Sequence, residues 1–245
     1  MVVVVNILHM YPDLLNLYSD RGNIECMKRR LLWRNIDANV IELTTESENI
    51  DLNYVDIIFI GGGSDREQKI VCEKLLCIKN KIRKYVEDQK VLLAVCGGYQ
   101  LLGKYYKIKD EMLEGLGILD IYTESSDKRI IGNIILENEL FDNKIVGFEN
   151  HAGRTFNNCY KPFGKILIGG CYNNFEFEGV MHENIIGTYL HGPLLPKNPL
   201  VCDHLLNKAL KQKYEEFLSL SKLNDDLEIS ANSLFCKKFL GKRKF

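Results

Sequence analysis

Apolar positions along the first hundred residues alternate between two textures. Val2–Leu8 is an apolar run broken only by Asn6, and Ala38–Leu43, Val55–Ile60 and Val91–Val95 repeat it. Runs this short and this rich in Val, Ile and Leu predict buried strands. Between them apolar residues recur every three or four positions. Ile24, Met27 and Leu31 mark Gly22–Asn35, while Ile70, Val71, Leu75, Ile78, Ile82 and Val86 mark one long helix over Glu67–Asp88. Such spacing gives a helix one apolar face. Strands alternating with amphipathic helices imply an α/β fold, a mostly parallel central sheet with flanking helices.

From about Gly115 the texture changes. The runs Ile118–Ile121, Arg129–Leu136, Lys144–Glu149, Lys165–Gly170, Phe175–Val180 and Ile185–Tyr189 are separated by Gly, Asn and Asp. They predict antiparallel strands that extend the sheet or form an annex. Leu205, Leu206, Ala209, Leu210, Tyr214 and Phe217 predict a further helix over Leu200–Leu220. The expected organisation is one domain over residues 1–220 and a polar C-terminal tail over 221–245, mobile or partner-contacting.

One junction carries chemistry. Val91–Val95 ends at Cys96, Gly97 and Gly98 follow, and a helical pattern begins at Tyr99. A strand–Cys–Gly-Gly–helix sequence is a nucleophile elbow with sulfur as nucleophile. It sets the thiol at a helix N-terminus, where the macrodipole favours thiolate. A thiol so presented needs a base, and Tyr189-Leu190-His191-Gly192-Pro193 offers His191 at the end of another predicted strand. Gly61-Gly62-Gly63 follows Val55–Ile60. Those glycines either permit a tight turn or present amides that, with Gly97, stabilise an oxyanion. Two polar-rich blocks, Tyr11–Asn23 and Gly147–Thr155, have no unique mechanism; Glu149 and His151 either line a cleft or tie down a turn.

Composition narrows the classes. The 245 residues are 46% hydrophobic with five prolines, enough for a full core. A net charge of −1 gives no general electrostatic case for nucleic acid or an anionic membrane. No apolar run approaches the roughly 20 residues of a membrane-spanning helix. Val2–Leu8 lacks a basic leader, so a cytoplasmic protein is expected. The eight cysteines include no C-x-x-C pair, so they read as reduced thiols, with no metal site expected. Neither G-x-x-x-x-G-K-[ST] nor a strand-following G-x-G-x-x-G is present, which leaves no recognisable ATP site.

The Cys96–Gly103 elbow and Tyr189–Pro193 resemble class I glutamine amidotransferases of the cobyric-acid-synthase-like (CobB/CobQ) branch. Tyr11–Tyr18, Gly61–Gln68, Gly147–Thr155 and Leu190–Pro199 narrow the resemblance to glutaminase subunits of lipid II isoglutaminyl synthase. The matching blocks span about four fifths of the chain. The resemblance implies that Cys96 attacks the carboxamide of L-glutamine and that His191 is acid and base. It also implies that Gly63 and Gly97 hold the oxyanion, that Arg129 clamps the α-carboxylate, and that Gln100 lies near the substrate. It further implies a heterodimer with a Mur-ligase-like synthetase subunit (MurT type) that carries ATP and magnesium, so no cofactor is expected in this chain. The ammonia would amidate the D-glutamate of lipid II to D-isoglutamine in peptidoglycan synthesis. Corrinoid amidation and a non-catalytic binding module of the same fold are the alternatives. One departure stands out: the His-x-Glu of many relatives is His191-Gly192-Pro193 here, which leaves the orienting group of His191 open, with Glu149 as one possibility.

Overall fold

A computed structural model describes residues 3–47, 50–169 and 176–241. The expectations for Val2, Gly170, Cys171, Phe175 and the basic end 242–245 lie outside the described residues. Strand β1 (Val4–Met10) leads through a polar loop to helix α1 (Arg21–Leu32) and strand β2 (Asp37–Leu43). Strand β3 (Ile57–Ile60) then precedes helices α2 (Asp65–Cys77) and α3 (Lys79–Glu87). The single helix expected over 67–88 is therefore two. The break falls at Ile78, which leaves helical geometry (φ −111°, ψ 12°) with neither proline nor glycine to announce it. Ser64 caps α2 in a reciprocal capping box with Glu67. Strand β4 (Val91–Val95), every residue buried, ends at Cys96 and helix α4 (Gly97–Leu102).

The second half forms a separate sheet. The hairpin β5 (Tyr105–Ile108) and β6 (Glu111–Glu114) was not apparent from the sequence pattern. The long strands β7 (Ile121–Glu137) and β8 (Ile145–Asn157) follow, then β9 (Gly164–Ile168) and β10 (Phe177–Glu178). These give the order β10-β9-β7-β5-β6, with β8 antiparallel to β7. The register of β7 against β8 shifts between Ser125 and Ile130, a bulge that bends the ribbon beside Arg129. Strands β11 (Val180–His182) and β12 (Ile185–Thr188) complete the central sheet, ordered β11-β12-β4-β3-β1-β2 and parallel except for β11. The expected antiparallel portion is thus mainly an annex, with one strand extending the first sheet.

Helices α5 (Leu194–Lys197) and α6 (Pro199–Lys213) pack behind α1. The predicted helix over 200–220 ends at Lys213. Arg30, nearly inaccessible, bridges Asp203 and Asp225, while Arg34 binds Asp203 and the Ser221 carbonyl. These bonds anchor the segment expected as a tail. It forms helix α7 (Asp226–Leu240), whose Cys236 joins Ile135 and Val146 in a small second core. Asn232 closes that contact by donating to the carbonyls of Lys144 and Lys197.

Candidate active site

Parallel strands place their carboxyl ends on one edge, where ligands of open α/β sheets bind. Cys96 leaves β4 there with φ 50° and ψ −104°, in a region that non-glycine residues enter only when their surroundings enforce it. The Cys96 amide donates to the Thr188 carbonyl of the neighbouring strand (2.8 Å), and the Gly98 amide donates to Gly61 (3.0 Å). The turn is thereby fixed from both sides.

His191 arrives from beyond β12. Its backbone exchanges two hydrogen bonds with Phe148 of β8 (2.9 and 3.2 Å), so the annex helps set its position. The side chain is wholly inaccessible, and Nδ1 lies 3.1 Å from Asp20 Oδ1. Its Nε2 makes no conventional hydrogen bond, and the Cys96 sulfur is the neighbouring group that interacts with the ring. Burial pulls the imidazole pKa down. The Asp20 carboxylate and the Cys96 sulfur outweigh burial and raise it from 6.5 to about 10. The ring is therefore biased toward its protonated form, held between a carboxylate and a sulfur.

The carboxylate beside His191 is that of Asp20; Glu149, one possibility left by the sequence, lies against His151 instead. The Glu149 Oε1 lies 3.6 Å from His151 Nε2, while Asp20 fills the position beside His191. Asp20 comes from the loop between β1 and α1, and its second oxygen accepts the Gly62 amide (2.8 Å). Sequence spacing hid it, because 171 residues separate it from His191. The available signal was the polar block Tyr11–Asn23 at the end of a predicted strand.

The glycine turn after β3 packs directly on this trio. A Cβ on Gly62 would meet His191 Cε1 at 2.7 Å and Cys96 Cβ at 3.2 Å, so no side chain fits there. Its amide is engaged by Asp20, but the Gly63 amide has no partner among the described residues. The Gly97 amide begins α4 and has no acceptor within that helix. Gln68 contacts both turns, donating to the Gly63 carbonyl (3.2 Å) and packing against Gly97.

Gln100 is buried one helical turn after Cys96, whose carbonyl accepts its backbone amide (3.0 Å). Its side-chain amide donates to the Tyr189 hydroxyl (3.1 Å), and its Oε1 lacks a protein partner. Arg129 is exposed, and its guanidinium donates to the side chain and carbonyl of Asn150 (2.5 and 3.1 Å). Asn150 Nδ2 in turn donates to the Tyr18 hydroxyl, and the Tyr18 ring meets His191 edge-on at 4.9 Å. Arg129 thus connects to the site through two residues that the sequence did not single out for chemistry. Glu149, His151, Arg154, Glu178 and Tyr189 line an adjoining cavity of about 660 Å³. Another of about 650 Å³, among Leu52, Lys81, Lys84 and Lys90, lies toward the amino ends of the strands, away from Cys96.

A thiol at a strained strand–helix turn, an imidazole held by a carboxylate and two amides unpaired among the described residues are the groups a cysteine-dependent acyl transfer uses, gathered at one edge of an α/β sheet. Residues 6–199 match the CobB/CobQ-like glutamine amidotransferase domain. The chain is 45% identical over 232 residues to the lipid II isoglutaminyl synthase (glutamine-hydrolyzing) subunit GatD of Staphylococcus aureus, covering 94% of each protein. It is 40% identical to the GatD of Streptococcus pneumoniae, covering 91% of this chain and 87% of that protein. Cobyric acid synthase of Clostridium acetobutylicum is 30% identical over 65% of this chain and 34% of that enzyme. Among solved structures, PurLQS from Thermotoga maritima shares the fold at 18% identity (TM-score 0.53, covering 86% of this chain and 97% of that one). The Trypanosoma brucei CTPS glutaminase domain does so at 12% (TM-score 0.52, covering 89% and 98%). The chain is a glutamine amidotransferase of the CobB/CobQ-like family, in the branch of the GatD subunits of lipid II isoglutaminyl synthase.

Proposed function

We propose that this glutamine-hydrolysing chain supplies ammonia to a separate Mur-ligase-like subunit (MurT type). The two form a cytoplasmic heterodimer, and the acceptor is the D-glutamate of lipid II, amidated to D-isoglutamine. ATP and magnesium belong to the partner. The observation that carries the reading is the Cys96–His191–Asp20 arrangement at the carboxyl edge of the sheet.

The chemistry follows from the positions of these groups. Cys96 Sγ attacks the side-chain carbonyl carbon of L-glutamine as thiolate, and the carbonyl oxygen becomes an oxyanion facing the amides of Gly63 and Gly97. The imidazolium of His191 gives its proton to the departing nitrogen, the C–N bond breaks and ammonia leaves. The neutral imidazole then takes a proton from water, whose oxygen attacks the thioester. Glutamate departs and the thiolate returns. Arg129 receives the α-carboxylate in two parallel hydrogen bonds, and Gln100 lies behind the bound substrate.

Glutamate release from L-glutamine tests this reading, measured for the chain alone and with its co-purified partner, wild type beside Cys96→Ser. Release should fall at least about a thousandfold in the variant. Equal release from both would overturn the thiol mechanism. A partner that amidates a corrinoid acid, and leaves lipid II untouched, would overturn the acceptor.

A further inference from the structure

The loop that delivers Asp20 is strained in a way the dyad alone does not explain. Tyr18 (φ 55°, ψ 33°) and Ser19 (φ 63°) are consecutive non-glycine residues in the left-handed region. Such a conformation persists only where its surroundings enforce it, and it concentrates at functional sites. Here the enforcement is visible. The Leu17 amide donates to Gly62 (3.0 Å), the Arg21 amide donates to the Asn16 side chain (2.9 Å), and Asp20 is held by Gly62 and His191.

The strain sets Tyr18 against the catalytic imidazole, with the ring planes at 69°. Its hydroxyl is tied to Asn150, and both oxygens of Asn150 accept from Arg129. Asn150 lies two residues beyond Phe148, which pairs with the His191 backbone. Resting on the functional reading above, we infer that Tyr18 is a positioning residue for His191, coupled to substrate recognition through Asn150 and Arg129. In the unliganded chain Arg129 commits the Nε and Nη2 edge of its guanidinium to Asn150. A carboxylate competes for those same donors, because charge-assisted pairs are the stronger ones. Its arrival releases Asn150, and Asn150 releases the Tyr18 hydroxyl. The ring, already edge-on to the imidazole, then loses the tether on its hydroxyl as substrate binds.

Three variants test the coupling: Tyr18→Leu, Tyr18→Phe and Asn150→Ala, each with its melting temperature. Tyr18→Leu should lower kcat at least tenfold with the melting point little changed. Tyr18→Phe, which keeps the ring, should recover most of kcat but change KM. Asn150→Ala should change KM by the same factor, and combining it with Tyr18→Phe should add nothing. A kcat for Tyr18→Leu within twofold of wild type, or additive KM effects in the double variant, would overturn the inference. Alkylation of Cys96 by iodoacetamide across pH provides a readout free of turnover. Its midpoint should move in Tyr18→Leu and hold in Tyr18→Phe, and an unmoved midpoint in Tyr18→Leu would overturn the positioning role. Wild-type activity that survives Cys96→Ser would instead sink the functional reading, leaving the alkylation result to judge Tyr18 alone.

Discussion

His9 in β1 and His191 beyond β12 are equally inaccessible, yet they are driven in opposite directions. His9 packs against Phe59 (ring centroids 5.3 Å apart), and neither ring nitrogen has a hydrogen-bond partner. Burial, helped by the nearby charge of Arg21, lowers its pKa to about 4. His191 experiences the same desolvation, but the carboxylate at 3.1 Å and the adjoining sulfur reverse its effect. The comparison teaches that depth in the fold does not decide the state of an imidazole. The charge beside it does. One histidine is held toward its neutral form and the other toward its charged one.

The strongest way to break this comparison is Asp20→Asn. Without the carboxylate, burial should dominate at His191 as it does at His9, taking the imidazole below its ordinary 6.5. The NMR titration of the ring reads that shift directly. Glutamine hydrolysis should fall by about 10⁴-fold, the size of loss seen when a buried carboxylate that orients a catalytic histidine is neutralised. An imidazole that still titrates near 10 would mean that the sulfur alone sustains it.

A smaller effect belongs to the acid beneath the His191 turn. Glu178 accepts the Thr188 hydroxyl (2.9 Å) and the Tyr189 amide (2.7 Å), and burial raises its pKa to about 8. The native chain keeps that proton between pH 4.5 and 8 while the unfolded chain has lost it. Its stabilising contribution is complete below 4.5 and is lost as pH rises through 8. Glu178→Gln should flatten that decline, a difference on the order of 4 kcal/mol between pH 5 and 8.5 by chemical denaturation. Parallel curves for variant and wild type would refute it.

His9 gives the mirror case. Its native pKa lies below the unfolded value, so the unfolded chain binds more protons between about 4 and 6.5 and stability falls as pH drops through that window. His9→Leu should remove the penalty, worth on the order of 3 kcal/mol at the acid limit. The gain at neutral pH should be smaller, because only the unpaired ring nitrogens are then relieved. Melting curves at pH 5 and pH 7.5 check both, and equal shifts at the two would show that protonation plays no part.

What could be read from the chain follows from how local each feature is. The β4–Cys96–α4 elbow is contiguous, so apolar run, thiol and glycines announced it together. His191 was legible for the same reason, as a histidine ending a strand-like run. Asp20, Tyr18 and Asn150 reach the site only through tertiary contacts across the sheet and the annex, and no periodicity encodes those. The β5–β6 hairpin escaped because its strands are only four residues each, and it turns at Lys109-Asp110, with Lys109 taking a positive φ that glycine more often supplies. In the C-terminal segment, Leu227 and Leu234 remain exposed on α7 while Asn232 and Cys236 are buried beside Phe235 and Phe239, so polar and apolar positions mix on the face that packs and no clean stripe marks it.

Gly62 joins the Asp20 loop to the thiol turn, yet the imidazole that completes the trio lies 95 positions beyond Cys96 along the chain. During synthesis the sulfur and its carboxylate neighbour leave the ribosome long before the base does. A nascent or truncated chain that stops short of β12 therefore carries the thiol without its imidazole neighbour. The acid–base partner joins the site only with the final crossing of the sheet, so the last part of the fold to be made is the part that completes it.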